Sequence, residues 1–490
     1  MIDLTQEAVK LLNNLNGGYM RGLAYDTAWA ATIPESKTSK KPLFPGSLLW
    51  LITNQTDNGS WGGTVDFSYD RLVSTLASII AFKKTHKAEK FQEIIKKGEE
   101  YIWFNIQRLR AEPQETVGFE LIFPALMLEA EKLGLNLPYS ERFFEPLKEK
   151  KLNLIISELI TSQNTTVTFS LEFLGEYATE KLLRRAQNIN GSISNSPSAT
   201  AFMLTKMFND SAYDYLRKVL EFNSGSSMTL YPFDVFEVAW VVDNFMKTGL
   251  PVENHYLAKI EDLSSSWTER GISMSKYYDF QDLDDTATVF HLLRETNHKV
   301  DPQVLEIYED TTHFNCYPSE RSASPIVNIR VLKAIRNFKE YKRHDEVIEK
   351  IINFLYTEQK ENSYWLDKWN ISPYYCTSQA IEALGDLDPS MTEKALNWII
   401  RTQNIDGSWG LKLGTQEETS YALLALLYYH NHIEKIDTDI MKNGLRYLEN
   451  NIKNDLYPEL WIGKGLYCPY NVIRASILSA IYLCRKTQIK

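Results

Sequence analysis

Three aspartates in four positions are the residues of this sequence with the clearest chemical potential. Asp282, Asp284 and Asp285 form the segment "DLDD", which runs directly into the apolar stretch "TATVF". A free aspartic acid, with a pKa of ~3.9, is already ionised at neutral pH. Burial and neighbouring carboxylates both penalise the charged form, so Asp282 and Asp285 can help to keep a proton on the middle residue. Such a cluster could therefore act as a general acid if it is held away from water.

The same three residues also have a plain structural interpretation. Asp and Thr are good N-cap residues, and carboxylates suit the first turn of a helix. With 63 acidic residues among 490, an acid-x-acid-acid pattern is expected roughly once by chance, which is the usual risk of a short motif. Taken alone, the segment therefore favours a solvated helix start, and the surrounding sequence has to decide.

The composition excludes several classes of function. A chain of 490 residues with 44% hydrophobic residues can bury a large core and predicts two or more domains. A net charge of −10 without long runs of one sign argues against nucleic-acid partners and a polybasic membrane patch. The four cysteines show no CxxC spacing, the N-terminus lacks signal-peptide features, and no apolar run approaches the ~20 residues of a membrane span. We expect a soluble, cytoplasmic protein with reduced cysteines.

Helical periodicity dominates the chain. Apolar residues recur at steps of three and four in stretches such as 71–84, 123–135, 235–250 and 419–432, and alternating strand patterns are scarce. The sequence contains no Gly-rich phosphate loop, no HExxH and no nucleophile elbow. We therefore predict an all-α fold without triad or metal-hydrolase chemistry.

The chain also repeats itself. "WLITNQTDNGSWG" (50–62) and "WIIRTQNIDGSWG" (398–410) share the positions of Gln, Gly and Trp, and weaker copies occupy 182–193 and 354–365. Each copy predicts a helix end followed by a turn, with Gln bonded to freed backbone groups and Trp folded back onto the helix. Copies of one unit in both halves predict stacked helical hairpins in two related domains.

Ten blocks of the sequence, in order, resemble the class II terpene cyclases, most closely the bacterial two-domain diterpene cyclases. "DLDD" is similar to the DxDD acid motif of that family, and the repeats are similar to the QW motifs of squalene-hopene cyclases. The blocks are "AYDTAWAA", "YDRLVSTLA", "VGFELIFPALMLEAEKLGL", "SLEFL", "SPSATAF", "YPFDVFEVAWVVD", "WTERGI", "QDLDDTA", "DKWNISPYY" and "LWIGKGLYCPY".

The resemblance implies two α-barrel domains of the α/α toroid type, in the βγ arrangement and related to squalene-hopene cyclase. Residues 1–33 would form the N-terminal segment of the β domain, residues 34–250 the γ domain, and residues 251–490 the rest of the β domain with the DxDD motif. The substrate cavity would lie between the two domains.

The implied activity is protonation-initiated cyclisation of geranylgeranyl diphosphate to a bicyclic copalyl-, labdane- or clerodane-type diphosphate. The sequence lacks the DDxxD and (N/D)Dxx(S/T)xxxE motifs of class I cyclases, so we expect the diphosphate to be retained and a class I synthase or phosphatase to act downstream. Farnesyl diphosphate, cyclised to drimenyl diphosphate, is the alternative substrate. A non-catalytic helical scaffold and a zinc-dependent protein prenyltransferase are alternatives of other classes. A monomer and a homodimer are both compatible with the sequence.

By the same resemblance, Asp284 is the general acid, and Asp282 and Asp285 tune it. An asparagine behind the motif holds the acid in position in the family, and the matching residue here is Asn328, in "PIVNIRVLKA". A surface amide on a helix is the alternative interpretation of Asn328.

The remaining predicted contacts serve the carbocation and the diphosphate. Aromatic rings can stabilise a carbocation, although ordinary core packing is their alternative role. The candidate rings are Trp240, Trp369 and Tyr374. Lysines can meet phosphate oxygens as point charges, with a plain surface position as the alternative. The candidates are Lys368 and Lys464. The resemblance implies Mg²⁺ as cofactor, with Glu112 and Glu115 as the nearest ligands, or as residues of a solvated loop.

One departure from the family concerns the end of the reaction. Plant ent-copalyl members place a His and an Asn around the water that removes the last proton, and Gly175 and Thr229 occupy those positions here. We therefore expect another residue or water to end the carbocation, or further hydride and methyl shifts to precede proton loss.

Overall fold

The computed structural model describes residues 2–15, 17–85, 88–140, 165–318, 320 and 322–489, together with residues 153, 155–157 and 159. All of the predicted site residues lie within these ranges. In the described chain, helices alternate with short loops and 3₁₀ segments, and the only named strands form one two-stranded hairpin. The predicted all-α fold is confirmed.

Six of the described helices form a closed ring in which each helix packs against the next and the last packs against the first. The ring consists of α10 (Asp234–Thr248), α12 (Leu283–Glu295), α13 (Pro325–Ile335), α15 (Pro373–Leu384), α17 (Gln416–His432) and α19 (Tyr470–Lys486). Five further helices pack on the outside of this ring. They are α1 (Leu4–Asn13), α11 (Glu253–Ser265), α14 (His344–Glu358), α16 (Pro389–Arg401) and α18 (Asp439–Asn451). This is an α/α barrel, which we call the first barrel.

A second ring of the described chain forms another barrel. Its members are α2 (Ala24–Ala31), α4 (Ser68–Lys84), α6 (Phe119–Lys132), the 3₁₀ segment Thr166–Tyr177 and α8 (Pro197–Lys206), which packs back against α2. Outside this second barrel lie α3 (Pro45–Thr53), α5 (Gln92–Asn105) and α9 (Asp210–Phe222), and α7 (Glu180–Arg185) contributes Leu182 and Leu183 to its core. The short 3₁₀ segments Ala88–Phe91 and Ile106–Ala111 flank α5, and Pro302–Tyr308 packs on α12.

Three helices, α1, α2 and α10, show where the chain passes between the two barrels, for comparison with the predicted domain limits at residues 33 and 250. Helix α1 packs against α19 and α11, so the N-terminus of the chain completes the outer layer of the first barrel. Helix α2, which follows α1, packs in the second barrel, and α10, which ends at Thr248, belongs to the first ring. The chain therefore passes to the second barrel before α2 and returns before α10.

The repeated segments form the turns that were predicted for them. Trp61 and Trp409 are buried, and each indole Nε1 donates to the carbonyl of the residue ten positions earlier, at 2.7 and 2.8 Å. Gln55 and Gln403 each donate to the carbonyl of the glycine four positions later, both at 2.9 Å. In the weaker copy, Trp365 keeps its bond, while Nε2 of Gln359 has no partner in the described chain. These residues have the structural role that the repeat predicts.

Four of the six ring helices of the first barrel have a polar N-cap residue at their start. Asp282, Ser324, Ser372 and Thr415 are N-caps whose side chains accept backbone N–H groups, and prolines follow two of them. Because an outer helix returns the chain between successive ring helices, the ring helices run parallel and begin at the same end of the barrel. Residues near these starts are therefore brought together.

A hairpin joins the two barrels at that end. Strand β1 (Trp461–Ile462) pairs antiparallel with β2 (Leu466–Tyr467), and Ile462 N donates to Trp369 O at 2.8 Å in the first barrel. The turn of the hairpin reaches the second barrel, where Val117 N donates to Gly463 O at 2.8 Å. The hairpin thus carries its own side chains from one barrel to the other.

Candidate active site

The three aspartates of "DLDD" are buried at the start of α12. Asp282 is the N-cap, and its Oδ1 accepts the N–H of Asp285 at 2.9 Å. Burial raises the pKa of Asp282 to about 7 and the pKa of Asp284 to about 6, and burial with the charge of Asp282 raises the pKa of Asp285 well above its usual value. The cluster therefore retains protons close to neutral pH, although the N-terminus of the helix favours the charged form. The interpretation as a solvated helix start is excluded for these residues.

Asp284 faces a buried cation. Nε of Arg330 lies 2.7 Å from Oδ1 of Asp284, outside hydrogen-bond alignment, so the contact is an ion pair. The guanidinium also donates through Nη2 to the hydroxyl of Tyr375 at 2.6 Å, and it lies 4.2 Å from the ring centroid of Trp240. Arg330 lowers the pKa of Asp284, but burial outweighs this effect. The acid is thus protonated more easily than a free aspartate, yet its conjugate base is stabilised.

Asn328 lies two residues before Arg330 and has different partners. Its side chain donates to the carbonyls of Phe314 and Ser324, both at 2.9 Å, and accepts the N–H of Phe314 at 2.9 Å. It is fully buried, so it is not a surface amide. Its three bonds fix the backbone near the acid, and the side chain in contact with Asp284 is that of Arg330.

Aromatic rings surround the space next to Arg330. We call six of them the aromatic box: Phe236, Trp240, Tyr375, Tyr421, Trp461 and Tyr467. The ring centroids of Trp240 and Phe236 lie 4.2 Å apart with a tilt of 35°, and Nε1 of Trp240 donates to the hydroxyl of Tyr375 at 3.0 Å. Trp461 lies 4.7 Å from Tyr375 and 5.3 Å from Phe236. Each aromatic ring whose face lies over a desolvated cation stabilises that cation by ~0.5–2 kcal/mol. Trp240, predicted from the sequence, therefore packs on Arg330, which is the ion-pair partner of Asp284.

The other two predicted rings lie differently. Tyr374 packs on Trp398 of the outer helix α16 at 4.8 Å, so it faces away from the ring interior that Tyr375 faces. Trp369 is half-buried, with Nζ of Lys368 5.1 Å from its ring centroid, and its Nε1 has no partner in the described chain. Tyr374 therefore has the core role that was its alternative, and Trp369 borders the site.

The two predicted lysines lie at opposite ends of the site. Lys368 pairs with Glu320 and lowers the pKa of Asp284, so it belongs to the end that holds the acid. Lys464 lies in the hairpin turn and is buried in the second barrel. Its Nζ donates to Glu172 Oε1 at 2.6 Å and to the hydroxyls of Ser196 and Ser198 at 2.7 Å. Neither lysine is a plain surface residue.

Lys464 is the centre of a buried polar cluster that motif reasoning missed. Glu172 also accepts the hydroxyl of Tyr25 at 2.8 Å, and its Oε2 has no partner in the described chain. Asp26 accepts Ser198 N at 2.9 Å, and burial raises its pKa. These residues occur in "AYDTAWAA", "SLEFL" and "SPSATAF", three of the blocks that resemble the family. The resemblance of the blocks does not predict which of their side chains contact each other.

The hairpin sets the spacing between this cluster and the aromatic box. Trp461 belongs to the box, and Lys464 follows it by three residues. Three residues span at most ~10 Å from Cα to Cα. The hairpin therefore joins the aromatic box, which contacts Arg330, to the buried ammonium of Lys464, and this arrangement suits an apolar molecule with an anionic head group.

The predicted magnesium ligands do not form a complete metal site. Glu112 accepts the N–H and the hydroxyl of Ser68, at 3.2 and 2.7 Å, and thereby fixes the start of α4. Glu115 is exposed. Within the described ranges, no group of three or more His, Cys, Asp and Glu side chains is arranged to hold a metal ion. A hard cation would thus need oxygens from the substrate as well.

The two positions that depart from the family supply no base. Gly175 has no side chain and lines a cavity of about 430 Å³ inside the second barrel. Thr229 is buried, and its hydroxyl has no partner in the described chain. A carboxyl group that sequence reasoning missed lies instead in the aromatic box. Glu417, in the first turn of α17, is fully buried and accepts Trp461 Nε1 and the Tyr421 hydroxyl, both at 2.8 Å.

A carboxyl cluster that keeps its proton, beside aromatic rings at the mouth of an α/α barrel, is the site that protonation-initiated terpene cyclisation requires. Known proteins agree with this arrangement. Residues 321–461 match the family model of the squalene-hopene cyclase C-terminal domain. A type B diterpene cyclase of Mycobacterium tuberculosis is 31% identical over 489 residues, which cover 95% of this chain and 96% of that protein.

Two further similarities extend the comparison. Copalyl diphosphate synthase 1 of Isodon rubescens is 33% identical over 400 residues, and the matched part is 76% of this chain but 49% of that longer protein. The structure of ent-copalyl diphosphate synthase from Streptomyces platensis superposes with a TM-score of 0.81, at 25% identity, covering 98% of this chain and 99% of that one. The chain belongs to the class II diterpene cyclases. It is an enzyme, and neither a non-catalytic scaffold nor a protein prenyltransferase.

Across the described part of the chain, no helix combines the length and apolar character of a membrane span.

Proposed function

We propose that this enzyme converts geranylgeranyl diphosphate into a bicyclic diterpenyl diphosphate of the copalyl, labdane or clerodane type and leaves the diphosphate in place. The buried "DLDD" cluster, with Asp284 directed at Arg330 and the aromatic box, is the observation that carries the proposal. The names of the relatives support the C20 substrate class.

Asp284 is the general acid in this mechanism. Its proton is transferred to the terminal alkene, whose π electrons form the new C–H bond and leave a tertiary carbocation. The next two alkenes attack in turn and close two rings, and loss of a proton from carbon restores neutrality. Asp282 and Asp285 keep the cluster protonated. Arg330 stabilises the carboxylate that remains on Asp284, which makes the acid stronger than burial alone would allow.

The aromatic box provides the surroundings that the carbocation needs. Its rings offer faces to the positive charge, and their burial excludes water that would capture the cation early. The hydrogen bonds of Trp240 and Tyr375 fix their orientation before the substrate binds. Trp240 is thus proposed as a substrate contact, with Trp369 at the border of the site.

The diphosphate is proposed to bind on the Lys464 side of the hairpin. All three N–H groups of Lys464 are donated to Glu172, Ser196 and Ser198, so phosphate oxygens would compete with the carboxylate for the same ammonium. The proposed cofactor is Mg²⁺, which proteins bind through one or two carboxylates and substrate phosphates and which would neutralise diphosphate charge. Glu172, with one unpartnered oxygen beside Lys464, is better placed for this role than Glu112 or Glu115.

The proposed function is tested by incubation of the enzyme with geranylgeranyl diphosphate and Mg²⁺, followed by extraction into hexane with and without phosphatase treatment. We expect a bicyclic diterpene alcohol only after phosphatase treatment, because the diphosphate is retained. Release of pyrophosphate at the rate of turnover, or a hydrocarbon in the untreated extract, would contradict the proposal.

Farnesyl diphosphate is the second candidate substrate, and the names of the relatives favour the longer one. A C15 chain with its diphosphate at Lys464 would leave part of a C20 site empty. The binding free energy would then be weaker by ~0.8 kcal/mol for each CH₂ group that is not buried. Its terminal alkene would also lie further from Asp284, and a misplacement of about 1 Å can cost ~10² in rate. The ratio of kcat/KM for the two diphosphates on one preparation decides between them, and a ratio above one for farnesyl diphosphate would overturn the C20 assignment.

The setting of the reaction follows from the same proposal. A retained diphosphate requires a class I synthase or a phosphatase to consume the product. A cytoplasmic location is proposed because the four cysteines, all buried, are free thiols. Neither nucleic acid nor a membrane is proposed as a partner, and the enzyme is a monomer or a homodimer.

A further inference from the structure

Glu417 is a buried carboxyl group of the aromatic box that the proposed protonation step does not use. It lies in the first turn of α17, and its exposed fraction is 0%. One oxygen, Oε1, accepts both the indole N–H of Trp461 and the hydroxyl of Tyr421, each at 2.8 Å. The other oxygen, Oε2, accepts no hydrogen bond from the described residues.

This pattern differs from that of neighbouring structural carboxylates. Glu418 accepts the hydroxyls of Ser372 and Thr415 and the N–H of Leu411, at 2.7, 2.9 and 2.9 Å, and both of its oxygens are bonded. An unbonded oxygen on a buried carboxyl group costs free energy and is uncommon in native proteins. Asn370 lies close enough to lower the pKa of Glu417, and its Nδ2 has no hydrogen-bond partner within the described chain. Glu417 therefore keeps one acceptor oxygen free.

The contacts of Glu417 place it across the aromatic box from the acid. Both of its hydrogen-bond donors, Trp461 and Tyr421, pack on the ring of Tyr375, at 4.7 and 5.4 Å. The hydroxyl of Tyr375 bonds Arg330, which pairs with Asp284. The charges of Asp284, Asp285 and Glu417 all raise the pKa of Tyr467, so that residue lies within electrostatic reach of both ends. The rings of the box thus separate an acid from a potential base.

A cyclisation that leaves an alkene needs a base at its end. The positions that supply it in plant ent-copalyl enzymes are Gly175 and Thr229 here, and neither side chain can take a proton from carbon. Glu417 is the carboxyl group whose donors are rings of the box. Burial raises the pKa of Glu417 to about 8, so the ionised form that can act as a base makes up about a tenth of the enzyme at pH 7 and about half at pH 8, and that carboxylate is more basic than the carboxylate of an exposed glutamate.

We propose that Glu417 is the base that ends the reaction, an inference that depends on the cyclisation proposed above. Oε2 of the carboxylate takes a proton from a carbon next to the cationic centre. The electrons of that C–H bond become the new C=C bond, the cation is neutralised, and Glu417 becomes a carboxylic acid. Trp461 and Tyr421 hold Oε1, and thereby direct Oε2. The proton then leaves to solvent, so no oxidant or reductant is required.

The test compares Glu417→Gln, Glu417→Asp and Glu418→Gln with the wild type, using geranylgeranyl diphosphate, phosphatase and mass spectrometry. Glutamine keeps the acceptor oxygen for Trp461 but cannot take the proton. We expect Glu417→Gln to lower turnover by ~10–10² and to shift the product from the wild-type alkene to water-captured alcohols or isomeric alkenes. Aspartate should restore part of the wild-type alkene, because it is still a base.

The matched control and the contrary results separate this inference from the proposed function. Glu418→Gln removes an adjacent buried carboxylate with structural partners, so it should lower stability and leave the product unchanged. A folded Glu417→Gln enzyme with the wild-type product at the wild-type rate would overturn the role of Glu417 alone. If Glu417→Gln does not fold, Glu417→Met, which fills a similar volume without a base, gives the same test, and wild-type product at the wild-type rate from that variant would do the same. A wild type that forms no retained diphosphate product would refute the cyclisation itself, and this inference with it.

Discussion

Replacement of Arg330 by glutamine tests how the acid is tuned. Nε of Arg330 lies 2.7 Å from Asp284, and both side chains are buried. At an effective dielectric constant of about 20, two unit charges at that separation attract by about 6 kcal/mol. One pKa unit corresponds to ~1.36 kcal/mol, so the ion pair could lower the pKa of Asp284 by at most about 4 units. Water that enters the vacated space would reduce this, and we expect a rise of about 1–2 units in Arg330→Gln.

The sign of the effect on rate follows from the role of Asp284. The general acid must be protonated, so kcat/KM falls as the pH rises through its pKa, which is about 6 in the wild type. A higher pKa in Arg330→Gln moves this fall to higher pH. The plateau at low pH should drop several-fold, because a weaker acid transfers its proton more slowly.

The assay is kcat/KM for geranylgeranyl diphosphate between about pH 5 and pH 9, a range that brackets the pKa of Asp284, which is about 6. Arg330→Lys is the matched control, because it keeps the charge beside Asp284 and should keep the fall near its wild-type pH. An unmoved profile in a folded Arg330→Gln enzyme, or a shift to lower pH, would show that the ion pair does not set the acidity of Asp284.

Three further predictions concern stability. The pKa of Asp285 is higher in the folded state than in the unfolded state, so the wild type loses stability as the pH rises from about 4. Asp285→Asn should lose less of its free energy of unfolding between pH 4 and pH 8, as measured by urea unfolding. An equal loss in the two proteins would contradict the raised pKa. Trp409→Phe removes the indole bond to Ile399 and should lower the free energy of unfolding by ~1–3 kcal/mol, whereas an unchanged midpoint would argue against the role of the repeat. Lys464→Met leaves Glu172 buried without its cation and should lower the free energy of unfolding by ~3–5 kcal/mol. The double variant with Glu172→Gln should regain most of that stability. No recovery in the double variant would refute the pairing.

The sequence predicted the all-α fold well, because helical periodicity and the repeats are local patterns, whereas the assignment of Asp284 as the acid rests on the resemblance of the blocks and stays a prediction. The Gln-to-Trp repeats specify a helix end and turn that need only nearby residues, such as Trp409 and Ile399. The "DLDD" segment sits at a helix start, where capping chemistry is visible in the sequence. Burial of the cluster was not evident from the segment alone, which favoured a solvated helix start, because burial depends on the other helices of the ring.

The rest of the site depends on helix faces and on contacts between distant segments. Tyr374 and Tyr375 are adjacent, so they point about 100° apart on α15, and a block alignment cannot tell which one faces the ring interior. Likewise, Arg330 lies two positions after Asn328 and on another face. Contacts such as that of Lys464 with Glu172 join segments that are almost 300 residues apart in the sequence, and no local sequence pattern predicts them.

The central claim is that Asp284 delivers a proton from solvent-exchangeable positions to carbon while the diphosphate stays in place. It is tested most directly by turnover of geranylgeranyl diphosphate in D₂O by the wild type and by Asp284→Asn. The account predicts a bicyclic diphosphate with one deuterium bound to carbon, and a loss of ~10² or more in turnover for a folded Asp284→Asn enzyme. A product without deuterium, or near-wild-type turnover by Asp284→Asn, would contradict it.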